Sequence, residues 1–219
     1  MSAKRYLGCA AVAFAVLLAL SPAAPAAEIV GKVVLSGKPA AEVVVSIEGV
    51  RVGGPADDTV YVIDHRDLRF VPHVLVVRAR TTVEFKNGDG MPCRFYSISP
   101  AGIFVLRNGE KKPQTITFDR PGVIEVRCAE HSWLYAYVVV KENPYFALTN
   151  PKGRYQISHV PPGRYMLQAW YEGTVVKRKI IEVGRAKRTI NFEALQPSPK
   201  ARTEGLDFRS LTKLGLVPR

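Results

Sequence analysis

The sequence is poor in cysteine, since only three of its 219 residues, Cys9, Cys93 and Cys128, carry a thiol. A scaffold held together by several disulfides is therefore excluded. No apolar run after residue 26 is long enough to cross a bilayer. No amphipathic stretch of helical period and length is present in the region of the predicted domains, which argues against a helical fold. Nucleophile elbows, phosphate-binding loops and paired carboxylates of defined spacing are also absent, so we expect no independent enzyme activity.

The first residues have the pattern of a signal peptide. Lys4 and Arg5 form a short positive segment, residues 7–20 form an apolar segment, and Ala24-Pro25-Ala26 matches a cleavage site. Cys9 would leave with this segment. We therefore expect a periplasmic or secreted protein, cleaved near Ala26 and without a transmembrane span afterwards. An uncleaved membrane anchor is the alternative.

The rest of the chain is typical of an all-β protein. Short runs rich in β-branched and aromatic residues alternate with Gly, Pro, Asn or Asp at the spacing seen in β-sandwiches. The predicted strands are 30–35, 43–48, 60–64, 73–78, 82–86, 94–98, 114–119, 123–128, 135–141, 155–158, 165–171, 175–183 and 187–192.

Two distant segments resemble one known module. Gly31-Lys32-Val33 and Gly37-Lys38-Pro39 resemble the first half of the carboxypeptidase regulatory-like (prealbumin-like) sandwich, and residues 150–155 (NPKGRY) and 160–165 (VPPGRY) resemble its second half. A second β domain inserted between the halves explains their separation. We predict a signal peptide over 1–26, the first strands of this small Ig/prealbumin-like sandwich over 27–49, the inserted domain over 50–143, the remainder of the sandwich over 144–195, and a basic mobile tail over 196–219.

Within the predicted insert, Cys128 and His131 are spaced as C-x-x-H between two predicted strands. A thiolate and an imidazole at this spacing reach one centre from one loop, and this pair of donors suits copper or zinc. By itself the spacing is a weak signal. Its position after Arg120-Pro121-Gly122 and before the last predicted strand of the insert makes it stronger.

Residues 58–148 resemble the cupredoxin domain of exported proteins of the methylamine-utilisation type. The matching stretches are 70–77 (FVPHVLVV), 83–89 (VEFKNGD), 96–100 (YSISP), 117–122 (TFDRPG), 128–133 (CAEHSW) and 143–147 (NPYFA). The resemblance implies a cupredoxin-like Greek-key β-sandwich and a copper site. In the family a His follows the N-x-D turn and a Met follows the C-x-x-H by three residues. This chain has Cys93 and Leu134 there, so an ordinary blue site is excluded and the axial position lacks a donor.

Three interpretations of Cys93, Cys128 and His131 stay open. The first is a copper site of altered type, used for one-electron transfer or for copper holding. Because two thiolates are softer than one, such a site favours Cu(I) or gives a Cu(II) centre with strong thiolate charge transfer. The second is a Cys93–Cys128 disulfide in a metal-free scaffold or interaction module. The third is zinc. Glu130 and Met91 are possible fourth donors.

The remaining histidines, His65, His73 and His159, lack ligand-like neighbours in sequence, so we expect surface or satisfied, partly buried positions for them.

Acidic residues are few, 19 against 31 Lys and Arg, which gives a net charge of +12. Most of the excess positive charge lies after residue 143. Because aromatic residues are not interleaved with these basic residues, the charge does not indicate nucleic-acid binding. One interpretation is that lysines protect an edge strand, and the other is attraction to an acidic redox partner or an anionic envelope surface. The residues concerned are Lys177, Arg178, Lys179, Arg185, Lys187 and Arg188.

Overall fold

The computed structural model describes residues 27–50, 58–106, 113–172 and 176–195, and within these ranges every regular element is a β-strand. The first nine strands are β1 (Ala27–Leu35), β2 (Lys38–Pro39), β3 (Val44–Glu48), β4 (Tyr61–Arg66), β5 (Arg69–Val71), β6 (Val74–Arg78), β7 (Thr81–Asn87), β8 (Phe95–Ser99) and β9 (Gly102–Val105). The others are β10 (Gln114–Phe118), β11 (Gly122–Cys128), β12 (Tyr135–Lys141), β13 (Phe146–Leu148), β14 (Arg154–Val160), β15 (Gly163–Trp170), β16 (Lys177–Val183), β17 (Arg188–Thr189) and β18 (Phe192–Leu195).

The predicted all-β sandwich class is confirmed. Strand β12 has the predicted limits, and most of the other predicted strands begin and end within three residues of their predicted positions. The single strand predicted over 187–192 is wrong, because β17 and β18 replace it and both pair with β1. The short strands β2, β5, β9 and β13 were not predicted, since two to four residues show too little alternation to be recognised without their partners.

Strands from residues 61–141 form two sheets with one core between them. One sheet has the order β10-β7-β4-β5 and the other β6-β12-β11-β8-β9. Alternate residues of both sheets point inward, among them Val83 and Phe85 from β7 and Ile124 and Val126 from β11. Cys93, Cys128 and Leu134 belong to the same buried cluster.

The other two sheets combine strands from both ends of the described chain. One contains β14, β1 and β17, with β18 and β2 also paired to β1, and the other has the order β13-β3-β15-β16. Their core unites Ile29 and Ile47 with Ile157 and Leu167, residues from before and after the 61–141 strands. Asn143 lies where the chain returns, and its amide donates to the carbonyls of Ile47 (2.9 Å) and Val50 (3.2 Å).

A smaller cluster connects the two pairs of sheets. Val44 packs with Val74, Tyr137 and Val139, and the Trp170 ring lies edge-on to Tyr137 at 5.4 Å. Next to Tyr137 of this cluster, His73 Nε2 lies 2.7 Å from Glu172 Oε2.

Two predicted segments lie outside the described residues, the signal peptide over 1–26 and the tail over 196–219. The same holds for residues 51–57, near the start of the predicted insert. Where the chain is described, none of it forms a helix of the length and apolarity needed to cross a membrane.

Candidate metal centre

A tight loop between β11 and β12 positions Cys128 and His131. Cys128 is the last residue of β11, and its N–H donates to Leu134 O at 3.2 Å, while Leu134 N–H donates to His131 O at 3.0 Å. These bonds close the loop and turn His131 back toward the strand end. As a result, His131 Nδ1 lies 3.4 Å from Cys128 Sγ.

A second loop, between β7 and β8, supplies Cys93. Gly90 has a φ of 66°, a conformation that favours glycine, and Asn87 Nδ2 donates to Met91 O at 2.6 Å. This arrangement directs Cys93 into the core, where it is 3 % exposed, next to the similarly buried Cys128.

The two thiols are hydrogen-bonded to each other and are not joined by a disulfide. The hydrogen bond donated by Cys93, opposed by burial and helped by the bond to His131, lowers the pKa of Cys128 below its ordinary value. The same hydrogen bond to Cys128, together with burial, raises the pKa of Cys93. Of the two thiols, Cys128 is therefore the more readily deprotonated, and the thiolate is the form that binds a metal or acts as a nucleophile.

Glu130 adds a carboxylate beside the thiols. Its Oε2 is 3.6 Å from Cys128 Sγ, and donor atoms of Cys93, Cys128 and Glu130 all lie within 4.8 Å of one another. Arg94 holds this carboxylate, since its backbone N–H donates to Oε2 and its Nε donates to Oε1, each at 2.7 Å. Burial alone would raise the pKa of Glu130, but these bonds hold it below the usual range.

Leu134 and Met91, the two other positions named in the sequence analysis, differ in how deeply they are buried. Leu134 is 3 % exposed and packs in the core cluster with both cysteines, so it contributes only apolar surface. Met91 is half-buried on the Cys93 loop and contacts Asn87 through its carbonyl. Trp133 is 62 % exposed and lies edge-on to the His131 ring at 5.0 Å.

The expectation for the remaining histidines is correct for two of them and wrong for the third. His159 is exposed, and His73 is partly buried and satisfied by Glu172. His65 is completely buried, and its ring centroid is 6.4 Å from that of His131. Among the described residues its Nε2 makes no hydrogen bond, and Asp89 Oδ2 lies 3.4 Å from it. Sequence reasoning missed it because nothing near it in sequence resembles a ligand motif. The available signal was an imidazole within the apolar run of a predicted strand.

The basic residues of the last described strands lie on an exposed edge. Strand β16, which carries Lys177, Arg178 and Lys179, is the terminal strand of its sheet. Part of the charge is paired within the chain, since Lys187 Nζ is 2.8 Å from Glu28 Oε2.

Comparison with solved structures finds copper proteins among the similar chains. A copper-containing nitrite reductase from Thermus scotoductus is 27 % identical over 43 % of this chain and 25 % of that chain, with a TM-score of 0.37. A variant of amicyanin is 19 % identical over 44 % of this chain and 98 % of its own, with a TM-score of 0.36. A purple cupredoxin from Nitrosopumilus maritimus is 22 % identical over 37 % of this chain and 99 % of its own, with a TM-score of 0.32.

The chain thus spans only a quarter of the length of the nitrite reductase. No protein-family model matches the sequence, and no curated protein matches it.

Proposed function

We propose that this chain is an exported, cupredoxin-like protein that holds copper at Cys93, Cys128 and His131 and has no enzyme activity of its own. The observation that carries the proposal is the environment of Cys128. Its buried sulfur accepts a hydrogen bond from Cys93 and lies 3.4 Å from His131 Nδ1, so that Cys128 contacts both of the other residues that we propose as ligands.

The donors fit a soft cation. Thiolate and imidazole select copper or zinc over magnesium or calcium, and a second thiolate increases the preference for Cu(I). Arg94 already engages both carboxylate oxygens of Glu130, so we assign Glu130 the role of fixing the loop through its ion pair rather than that of a main ligand.

The copper site could serve either to hold copper or to transfer one electron, and the set of donor atoms favours holding. Leu134 fills the position at which the related family has a Met, and it offers no donor atom. A site with two thiolates and one imidazole suits Cu(I), whereas fast electron transfer needs a centre that serves both oxidation states equally well. Bound copper would supply a one-electron couple, and the chain would supply its ligands and the buried surroundings of the two sulfurs.

The proposal extends to the rest of the chain. We assign residues 50–143 to the copper-holding domain, and residues 27–49 and 144–195 to a regulatory-like module that carries it. The signal-like residues 1–26 support a periplasmic or secreted location. The basic edge of β16 suits an acidic partner or an anionic envelope surface, and it also protects the edge from pairing with other strands.

The test is the copper content of purified, reduced protein, measured by native mass spectrometry after loading with Cu(I). We expect about one ion per chain. His131→Gln should release copper at a lower chelator concentration than the wild type, while the matched variant His159→Gln, altered on the exposed face of β14, should behave as the wild type does.

Absence of retained copper in the reduced protein would overturn the proposal. If, in addition, the mass of the isolated protein were two hydrogens short, the metal-free scaffold with a Cys93–Cys128 disulfide would be the better interpretation. Retention of zinc in preference to copper would favour the zinc site.

A further inference from the structure

The Glu130 carboxylate lies at the distance from Cys128 that a shared metal ion requires. On a tetrahedral ion, a sulfur ligand at about 2.3 Å and an oxygen or nitrogen ligand at about 2.1 Å lie about 3.6 Å apart. Glu130 Oε2 is 3.6 Å from Cys128 Sγ, and His131 Nδ1 is 3.4 Å from the same sulfur. By distance alone, the carboxylate and the imidazole are both placed to join Cys128 on one ion.

Arg94 makes the difference between these two side chains. The antiparallel pairing of β8 with β11 continues past Cys128, where Ala129 N–H donates to Arg94 O at 3.0 Å. From this position Arg94 donates its backbone N–H to Glu130 Oε2 and its Nε–H to Oε1, each at 2.7 Å. The two side chains of the ion pair are only 32 % and 24 % exposed, so water and salt screen it less than a surface pair. Both carboxylate oxygens are thus engaged, and the guanidinium offsets their charge.

The charge and the availability of this carboxylate affect the choice between Cu(I) and Zn²⁺. A negative group near the ion stabilises Zn²⁺ twice as strongly as Cu(I), because the Coulomb energy is proportional to the charge of the ion. Zinc also takes carboxylate oxygens as ligands and prefers four donors, whereas soft Cu(I) is matched by sulfur. A Glu130 carboxylate released from Arg94 would therefore complete a four-donor site for Zn²⁺ with Cys93, Cys128 and His131.

We propose, on the basis of the function proposed above, that Arg94 determines the metal selectivity of the site by holding Glu130 back from the ion, which favours Cu(I) over Zn²⁺. Arg94 follows Cys93 directly, and Glu130 lies two residues after Cys128, so the ion pair joins the two loops that carry the sulfurs. A guanidinium has no lone pair to offer a metal. Arg94 is therefore a positioning residue, which acts on the ion through Glu130.

The test is a pair of chelator competitions, one for Cu(I) and one for Zn²⁺, on the reduced full chain and on its Arg94→Leu variant. The substitution keeps the backbone N–H, removes the cation and the Nε donor, and adds no donor atom. Zinc affinity should rise about tenfold or more, whereas Cu(I), with half the charge and little preference for oxygen, should change about threefold or less. An unchanged zinc affinity in folded Arg94→Leu would overturn the proposal.

Two further variants separate the release of Glu130 from a general change of charge. Arg127→Leu removes a cation of β11 that pairs with Glu125 instead, and it should change the ratio of zinc to copper affinity much less. Adding Glu130→Gln to Arg94→Leu removes the released carboxylate, so the gain in zinc affinity should disappear. An equal gain in Arg127→Leu, or a gain that persists in the double variant, would refute the action through Glu130.

The wild type provides a test that does not depend on the folding of a variant. In NMR of the ¹⁵N-arginine-labelled, reduced chain, the Arg94 Nε–H should exchange slowly with water both before and after one equivalent of diamagnetic Cu(I) is added. Loss of this protection on copper binding would show that Glu130 leaves Arg94 for the ion, which overturns the proposal while the copper site stands. If the wild type retains no Cu(I), the proposed function fails, and this inference fails with it.

Discussion

Cys128 Sγ lies 3.4 Å from His131 Nδ1, and the hydrogen bonds between Cys128 and Leu134 and between Leu134 and His131 hold the two side chains together within one loop. Residues 128–134 therefore form a preorganised pair of donors at the end of a buried strand. Cys93, from a separate loop, is buried beside Cys128 and hydrogen-bonded to it.

Introducing the ligand residues of the cupredoxin family that residues 58–148 resemble should create a blue copper centre. Cys93→His together with Leu134→Met places an imidazole and a thioether beside Cys128 and His131, the set that gives intense thiolate-to-Cu(II) absorption. We expect this absorption in the double variant loaded with Cu(II), and its loss when Cys128→Ser is added. A folded double variant that binds Cu(II) without the intense band would show that Cys93 and Leu134 do not occupy the family's ligand positions.

Leu134 should matter for stability because it fills the core beside Cys93 and Cys128. It is 3 % exposed and belongs to the same cluster as Cys93 and Cys128. Leu134→Ala should lower the free energy of unfolding by about 2–5 kcal/mol, whereas Leu134→Met, which conserves volume, should cost less than about 1.5 kcal/mol. Urea unfolding of the metal-free, reduced variants measures both. Equal losses in the two variants would argue against tight packing at this position.

The His73–Glu172 pair should make stability depend on pH. The hydrogen bond that His73 donates to the Glu172 carboxylate raises the pKa of His73, against the effect of burial, and Glu42 and Tyr135 contribute in the same direction. Because the folded-state pKa is above the unfolded value, the pair stabilises fully below about pH 6.5, and the contribution is lost as the pH rises through the raised pKa.

Comparison with Glu172→Gln isolates this effect. The variant should be less stable than the wild type by about 0.5–1 kcal/mol near pH 5.5, and this difference should shrink near pH 9. Thermal unfolding at both pH values, with His73→Gln as the control, measures it. A difference that is the same at both pH values would mean that the imidazole does not titrate against Glu172.

Local sequence signals predicted the fold class and one part of the candidate site, the loop that carries Cys128 and His131. The β-branched runs predicted β12 with its observed limits, and the C-x-x-H spacing predicted the contact between Cys128 and His131. Both depend on residues that are close in sequence. The position of Cys93 came from the family resemblance and not from spacing.

The complete burial of His65 was not predictable in this way. His65 comes near the site only through the parallel pairing of β4 with β7, and its Nδ1 contacts the amide of Asn87, 22 residues later. The split of residues 187–192 into β17 and β18 has a similar cause, because both strands pair with β1 at the opposite end of the described chain. Long-range pairing of this kind leaves no periodic pattern in the sequence.

A competition for Cu(I) between the protein and a chelator, run on the reduced chain and on the chain with Cys93 and Cys128 oxidised to a disulfide, tests the central claim most directly. Oxidation removes both thiolates and leaves His131 in place. The account predicts that the reduced protein holds about one Cu(I) per chain against the chelator and that the oxidised protein releases it. Equal binding by both forms, or none by the reduced form, would contradict a copper site built on Cys93 and Cys128.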